Sequence, residues 1–197
     1  PLSFQALGVE VIYKVVPGAS ARRVVETRDP RLLQPFIEAG KALIAAGAER
    51  IGTSCGFLAC FQEALASALS VPVISSSLLA CARVDSPGIL TFSEKSLGDE
   101  VLQGAGVPSG IPAHAIPIGG ELHTRILNDE TTIDFQKAER EVVQSAEELV
   151  RRHPGVATIV LECTNLGPYR EAIESATRRA TIDAVRMLCE GLNQPRA

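Results

Sequence analysis

Two cysteines occupy matching positions in this sequence, each where a buried strand pattern ends and a helical pattern begins. Cys55 lies in the stretch 50–57, which reads RIGTSCGF, and Cys163 lies in the stretch 158–165, which reads TIVLECTN. Such a corner puts a side chain at the carboxyl edge of a parallel sheet, where ligands bind in open α/β folds. The partial positive charge of a helix N-terminus also favours the thiolate over the thiol. Two such thiols facing one carbon could remove a proton from one side and return it to the other.

Proton removal next to a carboxylate also requires hydrogen-bond donors around the developing enolate oxygens. Backbone N–H groups at the start of a helix can supply them, and neighbouring hydroxyl groups can add to them. The run Ser75–Ser77 follows the next predicted strand, where its hydroxyls could cap a turn or bind an anion. The residues predicted to contact a substrate are Thr53, Ser54, Gly56, Phe57, Ser76, Thr164 and Asn165.

The other residues that could do chemistry lack a comparable context. A cysteine after a strand is by itself more often a small buried side chain than a reactive one, and we interpret Cys60, Cys81 and Cys189 in that way. The histidines are scattered, and the sequence has neither a Cys-x-x-Cys nor a His-x-x-x-His spacing, so no metal site is predicted. The serine run is not part of a Gly-x-Ser-x-Gly elbow, and no glycine-rich phosphate loop is present.

The composition indicates a chain with a substantial core and no strongly charged interaction surface. Of 197 residues, 46% are hydrophobic but only 4% are aromatic, which suits parallel strands covered by helices. The net charge of -4 and the absence of long Lys/Arg runs predict no nucleic-acid partner. No apolar run reaches the roughly 20 residues of a membrane span, so no membrane partner is expected. An odd count of 5 cysteines at irregular spacing argues for a reducing, cytoplasmic location.

Short apolar runs alternate with helical patterns along the chain, which predicts βαβ units and a parallel sheet. Strands are predicted at 9–16, before Cys55, at 71–74, 88–92 and 113–118, before Cys163, and at 180–183. Helices are predicted at 30–46, 59–69, 93–104, 135–152 and 169–177, with a last one that reaches residue 192.

The repeated strand–cysteine–helix unit predicts two similar α/β lobes that face each other. We assign 1–85 plus 181–197 to the first lobe and 86–180 to the second. The chain begins at Pro1 rather than Met, so we expect that an amino-terminal strand of the first lobe is missing from this sequence. Periodicity alone also fits a single doubly wound sheet.

The two cysteine motifs resemble those of the aspartate/glutamate/hydantoin racemase superfamily. The similar segments are 53–58 (TSCGFL) and 161–166 (LECTNL), and the similarity extends to 71–73 and to the strand at 88–91. The resemblance implies two pseudo-symmetric Rossmann- or flavodoxin-like lobes with the active site between them.

The resemblance also implies roles for individual residues. Cys55 and Cys163 act as base and acid without any cofactor, one as thiolate and the other as thiol. Thr164, Asn165 and the backbone after Cys55 hold the substrate carboxylate. Thr91, in the similar strand, joins the substrate-binding residues. Enzymes of this kind are often dimers, which makes a homodimer an expectation.

The sequence departs from the superfamily pattern at both corners. Aspartate and glutamate racemases usually follow the first cysteine with Asn-Thr, where this chain has Gly56 and Phe57. Their second motif commonly reads Gly-Cys-Thr with Glu or His next, where this chain has Glu162 before the cysteine and Asn165 after the threonine. The substrate is therefore open, and Phe57 favours a less polar one.

The leading hypothesis is a cofactor-independent racemase or epimerase, an isomerase that acts on an amino acid such as aspartate or glutamate or on another small carboxylate. Alternatives with the same fold are a hydantoin racemase and a one-cysteine decarboxylase or cis–trans isomerase. Retention of both cysteines argues against a single-thiol enzyme. The third hypothesis is a small-molecule binding protein without turnover.

Overall fold

The computed structural model describes residues 9–190, and it arranges the predicted apolar strands in two parallel sheets. The smaller sheet pairs β1 (Ile51–Gly52) with β2 (Val73–Ile74). The larger sheet has the order β4-β3-β5-β6. Its strands are β3 (Pro87–Thr91), β4 (Ala113–Ala115), β5 (Thr158–Leu161) and β6 (Ala180–Ile182). The described strand pairs are all parallel, which confirms the predicted α/β fold class.

Helices follow most of the strands, because parallel strands need a crossover connection. The α-helices of the described residues are α1 (Leu33–Ala45), α2 (Gln62–Ala68), α3 (Asp99–Gly104), α4 (Glu121–Leu127), α5 (Phe135–Arg152), α6 (Arg170–Thr177) and α7 (Ala184–Cys189). Shorter 3-10 helices cover Pro30–Leu32, Gly56–Phe61, Ser77–Ala82 and Thr164–Tyr169, and a π-helical turn covers Arg22–Glu26.

The longest helix, α5, forms where the sequence predicts it. The Asp134 carboxylate caps its start by accepting a hydrogen bond of 3.0 Å from the Lys137 amide. Arg151 and Arg152 in the last turn complement the helix dipole. The buried side chains recur at the spacing of one helix face: they are Ala138, Val142, Ser145, Ala146 and Leu149. This face packs against β3, β4 and α6.

The main core lies on both faces of the larger sheet. The central strands β3 and β5 carry continuous apolar runs, as parallel strands covered on both faces do. Their side chains Ile89, Leu90, Ile159, Val160 and Leu161 are almost completely buried. A smaller apolar cluster lies at the two-stranded sheet and consists of Ile51, Leu65, Leu69 and Val73.

Most of the predicted elements are observed, but two predictions are wrong and one helix was not predicted. Residues 9–16 form no strand: they are mostly exposed and pair with no described strand. A strand needs a partner for its backbone N–H and C=O groups, which an apolar run does not supply by itself. The helix predicted at 93–104 begins only at Asp99, after a turn at 94–96. Helix α4 is an addition, and it begins directly after Gly120.

The end of the described chain connects the two sheets. β6 is the last strand of the larger sheet, and α7 packs next to β2 of the smaller one. The lobe boundaries at 85/86 and 180/181 stay a prediction, and part of the predicted first lobe, 1–8 and 191–197, lies outside the described residues. Within residues 9–190, no helix is long and apolar enough to cross a membrane.

Candidate active site

Each candidate cysteine lies at the corner that the sequence predicts. β1 ends at Gly52, and Cys55 directly precedes the 3-10 helix Gly56–Phe61, which continues as α2. β5 ends at Leu161, and Cys163 directly precedes the 3-10 helix Thr164–Tyr169, which continues as α6. Both cysteines have extended backbone conformations. The two corners therefore have the same local structure.

The two corners are in direct contact, although they are far apart in the sequence. The Thr164 hydroxyl donates a hydrogen bond of 2.6 Å to the Ser54 carbonyl. Gly56 packs so closely on Glu162 that a Cβ atom at position 56 would lie 2.5 Å from the Oε1 atom of Glu162. It would lie closer still to the Glu162 carbonyl oxygen. These contacts bring the residues next to Cys55 and Cys163 together at one site.

Glu162, the residue before Cys163, adds a buried carboxyl group to this contact. Only 1% of its surface is exposed. Its Oε2 atom accepts hydrogen bonds from the Thr91 hydroxyl at 2.9 Å and from the Phe92 amide at 3.2 Å. Its Oε1 atom has no hydrogen-bond partner among the described residues. Burial raises the pKa of Glu162 from 4.5 to about 7, and the two donors oppose this effect only in part.

Both thiols are less acidic than a helix N-terminus alone would make them. Burial, followed by the charge of Glu162, raises the pKa of Cys163 to about 12. Burial, followed by the charges of Glu162 and Cys163, raises the pKa of Cys55 well above its ordinary value. The amides of Phe57 at one corner and Asn165 at the other act in the opposite direction but are outweighed. The expectation that the helix starts lower the pKa of both thiols is therefore wrong for the ligand-free structure. The loss of hydration of the thiolate on burial has the larger effect.

Four of the hydroxyls predicted to contact a substrate have partners within the protein: those of Thr53, Ser76, Thr91 and Thr164. The Thr53 hydroxyl donates a hydrogen bond of 2.6 Å to the Ser75 carbonyl. Ser76 caps the following 3-10 helix by accepting a hydrogen bond of 3.1 Å from the Leu78 amide. These bonds shape the corners, and a direct contact of the four hydroxyls with a substrate stays a prediction.

The remaining predicted contacts divide between the core and the surface. The Phe57 ring is buried in the core, with 1% of the residue exposed, and its amide faces the Cys55 thiol. That Phe57 favours a less polar substrate stays a prediction. Ser54 and Asn165 are exposed, and the Asn165 side chain donates a hydrogen bond of 3.8 Å to the Cys163 sulfur.

The other three cysteines have the surroundings of packing residues. Cys81 is buried in the core, and burial raises its pKa to about 12. Cys60 and Cys189 are half-buried, and the Cys60 sulfur donates a hydrogen bond of 3.3 Å to the Phe57 carbonyl. No group of three or more His, Cys, Asp or Glu that could hold a metal ion occurs among residues 9–190.

Two cavities lie away from the cysteine pair. One of about 480 Å³ borders β3, β4 and α3, and the other of about 490 Å³ lies at the amino ends of β3 and β5. Neither cavity is lined by Cys55 or Cys163. The second lies at the sheet edge opposite to Cys163, because parallel strands end at one common edge. The cavities and the cysteine pair are therefore separate features.

Two of the departures from the racemase pattern lie against each other. Gly56 stands where an asparagine is usual after the first cysteine, and Glu162 stands where a glycine is common before the second. Compared with the racemase pattern, this chain has the small residue after the first cysteine and the polar residue before the second. Glu162 fills the space that a side chain at position 56 would take. In the sequence, neither change by itself indicates a function for Glu162. An acidic residue at the buried end of a strand, next to a candidate catalytic cysteine, is the signal that marks it.

The curated relatives of the chain include dimethylsulfoniopropionate lyases, whereas no family model matches it. Lyase 3 of Emiliania huxleyi is 30% identical in an alignment of 209 positions that covers 95% of this chain and 54% of the relative. Lyase 7 of the same organism is 29% identical in an alignment of 194 positions that covers 89% of this chain and 56% of the relative. The lyase of Durusdinium sp. clade D is 27% identical and matches 89% of this chain and 62% of its own length. The chain thus spans little more than half the length of these relatives.

Solved structures with a similar fold include racemases and a decarboxylase. Allantoin racemase from Klebsiella pneumoniae has a TM-score of 0.66 and 18% identity, with 95% of this chain and 78% of that chain covered. An aspartate racemase homologue from Pyrococcus horikoshii has a TM-score of 0.58 and 16% identity, with 96% and 88% covered. An arylmalonate decarboxylase has a TM-score of 0.53 and 13% identity, with 81% and 77% covered. The chain has the two-lobed α/β fold of the aspartate, glutamate and allantoin racemases, which confirms the predicted resemblance at the level of the fold.

Proposed function

We propose that this chain carries a cofactor-independent active site in which a cysteine removes a proton from the carbon next to a carboxylate. The reaction that we propose is the cleavage of dimethylsulfoniopropionate or a closely related sulfonium acid. The observation that carries the proposal is the contact between the two cysteine corners, with a buried acid between them. The choice of a lyase is supported by the sequence relatives, whose names specify that reaction class.

In the proposed reaction a thiolate takes the proton from the carbon next to the carboxylate. The electron pair of that C–H bond forms a carbon–carbon double bond, and the bond from the neighbouring carbon to the sulfonium sulfur breaks. The electrons of the broken bond leave with the sulfur. The products are therefore neutral dimethyl sulfide and acrylate, and the proton stays on the cysteine. Amide groups at the helix starts are suited to hold the negative charge that develops.

We assign proton removal to Cys163. Its sulfur faces the Asn165 and Leu166 amides and the Asn165 side chain, whereas the described donor at the Cys55 sulfur is the Phe57 amide. Hydrogen bonds to a thiolate favour the charged form, so the Cys163 corner is the better equipped of the two. Cys55 then lies on the opposite side of the substrate as a neutral donor.

A racemase or epimerase for an amino acid is the second candidate. The equivalent geometry of the two corners favours it, because racemisation needs a base on one face of the carbon and an acid on the other. Elimination needs no acid, since its leaving group departs as a neutral molecule. In both candidates the substrate is a small carboxylate, and a homodimer and a cytoplasmic location stay predictions.

A substrate panel with product-specific readouts tests the proposal. The protein is incubated with dimethylsulfoniopropionate and, separately, with D- and L-aspartate, D- and L-glutamate and hydantoins. Dimethyl sulfide is measured in the headspace by gas chromatography, and racemisation is measured by circular dichroism. We expect dimethyl sulfide and acrylate in equal amounts and no racemisation.

The double variant Cys55→Ser/Cys163→Ser is the control for this panel, and it should give no product. Racemisation without sulfide release would refute the lyase and support the second candidate. A ligand-induced rise in Tm without any turnover would refute both and support a binding protein.

A further inference from the structure

The serine run 75–77 follows β2, and all three of its side chains are buried in the protein. The Ser75 hydroxyl donates a hydrogen bond of 2.7 Å to the side chain of Gln62. Ser76 caps the 3-10 helix that follows it. Ser77 is the member of the run that reaches across to the larger sheet.

The Ser77 hydroxyl binds the end of β5. It donates a hydrogen bond of 2.6 Å to the Leu161 carbonyl and is 3.4 Å from the Glu162 carbonyl. Ser77 and Leu161 are both completely buried. Leu161 is the last residue of β5, and the pairing of β5 with β6 ends one residue earlier, at Val160. Ser77 therefore supplies a hydrogen bond at the point where the sheet ends, in a place where an unpaired carbonyl would be costly.

The same serine run also binds the strand end before the other candidate cysteine. The Thr53 hydroxyl donates a hydrogen bond of 2.6 Å to the Ser75 carbonyl. The two bound residues, Thr53 and Leu161, each stand two positions before a candidate cysteine. The three consecutive residues 75–77 thus hold equivalent points of both corners, and they link the two strand ends to each other.

A second hydrogen bond between the corners lies on the other side of Cys163. The Thr164 hydroxyl donates it to the Ser54 carbonyl at 2.6 Å. The chain is therefore tied to the smaller sheet just before and just after Cys163, which leaves the thiol little freedom to move. Such precision matters for a base, because a misplacement of about 1 Å can lower a rate by about 10²-fold.

We propose that Ser77 is a positioning residue that holds Cys163 opposite Cys55 for proton removal, an inference that rests on the proposed function. It acts through the Leu161 carbonyl and the backbone that leads from there to Cys163. Without the Ser77 hydroxyl, the end of β5 keeps its pairing with β3 but loses this bond to the smaller sheet. The base then shifts relative to a substrate that lies between the corners.

The variant Ser77→Ala tests this role, with Ser145→Ala as the matched control. Alanine has nearly the size of serine, so the substitution removes little more than the hydroxyl. Ser145 is also a buried serine, and its hydroxyl donates a hydrogen bond of 3.0 Å to the Glu141 carbonyl. That bond lies within α5 and not between the corners. Ser77→Thr keeps the hydroxyl, so it tests the same role if the alanine variant does not fold.

The first readout is the steady-state kinetics of dimethyl sulfide release. In Ser77→Ala we expect kcat to be about 10- to 10²-fold lower, with KM changed by less than about threefold, because the base is displaced while substrate binding is retained. Ser145→Ala should keep kcat within about twofold of the wild type, and Ser77→Thr within about threefold. Equal kcat values in Ser77→Ala and Ser145→Ala would overturn the proposal, and so would a loss in Ser77→Thr as large as that in Ser77→Ala.

The second readout is amide hydrogen exchange, which needs no substrate. The amides of Glu162 and Leu166 are hydrogen-bonded within the protein, so their exchange reports the opening of the Cys163 corner. Mass spectrometry of peptides compares this corner, 162–166, with the helix at 135–152. In Ser77→Ala we expect exchange several-fold faster at 162–166 and unchanged in the helix.

The outcomes of this second experiment separate the positioning role from general stability. Unchanged exchange at 162–166 would overturn the proposal. Equally faster exchange in both segments would also overturn it, because Ser77 would then only stabilise the fold. Faster exchange confined to 162–166, together with a wild type that turns over no substrate, would support the hold of Ser77 on the corner and refute the proposed function.

Discussion

Replacing Cys163 by serine is expected to lower kcat for sulfide release by about 10²- to 10⁴-fold, the usual contribution of a general base. Serine has nearly the same size as cysteine, but its hydroxyl does not ionise in the pH range in which a thiol does. Replacing Cys55 should cost less, about tenfold, because a neutral donor is removed and the base is retained. Both losses are measured as kcat and KM on protein whose circular dichroism matches that of the wild type.

Cys60→Ser is the matched control for these variants. Cys60 lies in the same 3-10 helix that follows Cys55, and its sulfur bonds to the Phe57 carbonyl at 3.3 Å. We expect it to keep kcat within about twofold of the wild type, because its thiol belongs to the packing of the helix. Equal large losses in Cys55→Ser and Cys163→Ser would point to the two-base chemistry of a racemase. Full activity in Cys163→Ser would contradict the assignment of the base.

Glu162 should make the stability of the protein fall as the pH rises, by about 3 kcal/mol in the unfolding free energy. Its pKa is 4.5 when exposed and about 7 in the folded protein, so between these values the native state holds a proton that the unfolded chain has released. This contribution is fully present below the lower value and is lost above the higher one. Glu162→Gln should therefore gain stability relative to the wild type between about pH 5 and about pH 8. Urea unfolding of both proteins at the two pH values measures the difference.

Glu148→Gln is the control for this pH dependence. Glu148 is ion-paired with Arg151 and Arg152 on the surface of α5, and these bonds lower its pKa to about 2. It stays ionised throughout the range of the experiment, so its loss should leave the pH dependence of the unfolding free energy unchanged. A Glu162→Gln variant whose stability followed pH as the wild type does would contradict the buried, proton-holding state of Glu162.

The sequence correctly predicts those elements whose apolar residues, spaced as in a helix or a strand, are also the residues that the fold buries. The helix at 135–152 is observed at the predicted bounds, and the strand predicted before Cys163 is observed at 158–161, because each has a continuous pattern and a clear end. Residues 9–16 have an equally apolar pattern, but strand formation depends on a partner that no local pattern reveals. Helix α4 is short and begins after two glycines, so its pattern is too brief to predict a helix.

The site shows the same limit. The strand–cysteine–helix repeat predicts both corners, because each corner is local. The contact between Gly56 and Glu162 joins residues from opposite halves of the chain, and only the folded structure reveals it. The thiol acidity was predicted with the wrong sign for a similar reason. A helix start is visible in sequence, whereas the burial that outweighs it depends on packing from both halves.

The most direct measurement of the central claim is the isotope effect on proton removal. Dimethylsulfoniopropionate carrying deuterium at the carbon next to the carboxylate competes with the unlabelled compound in one reaction, and the isotopic composition of the acrylate is followed by mass spectrometry. The proposed mechanism predicts that the unlabelled substrate is consumed faster, because Cys163 breaks that C–H bond. Formation of acrylate at equal rates from both substrates, unaffected by Cys163→Ser, would contradict it.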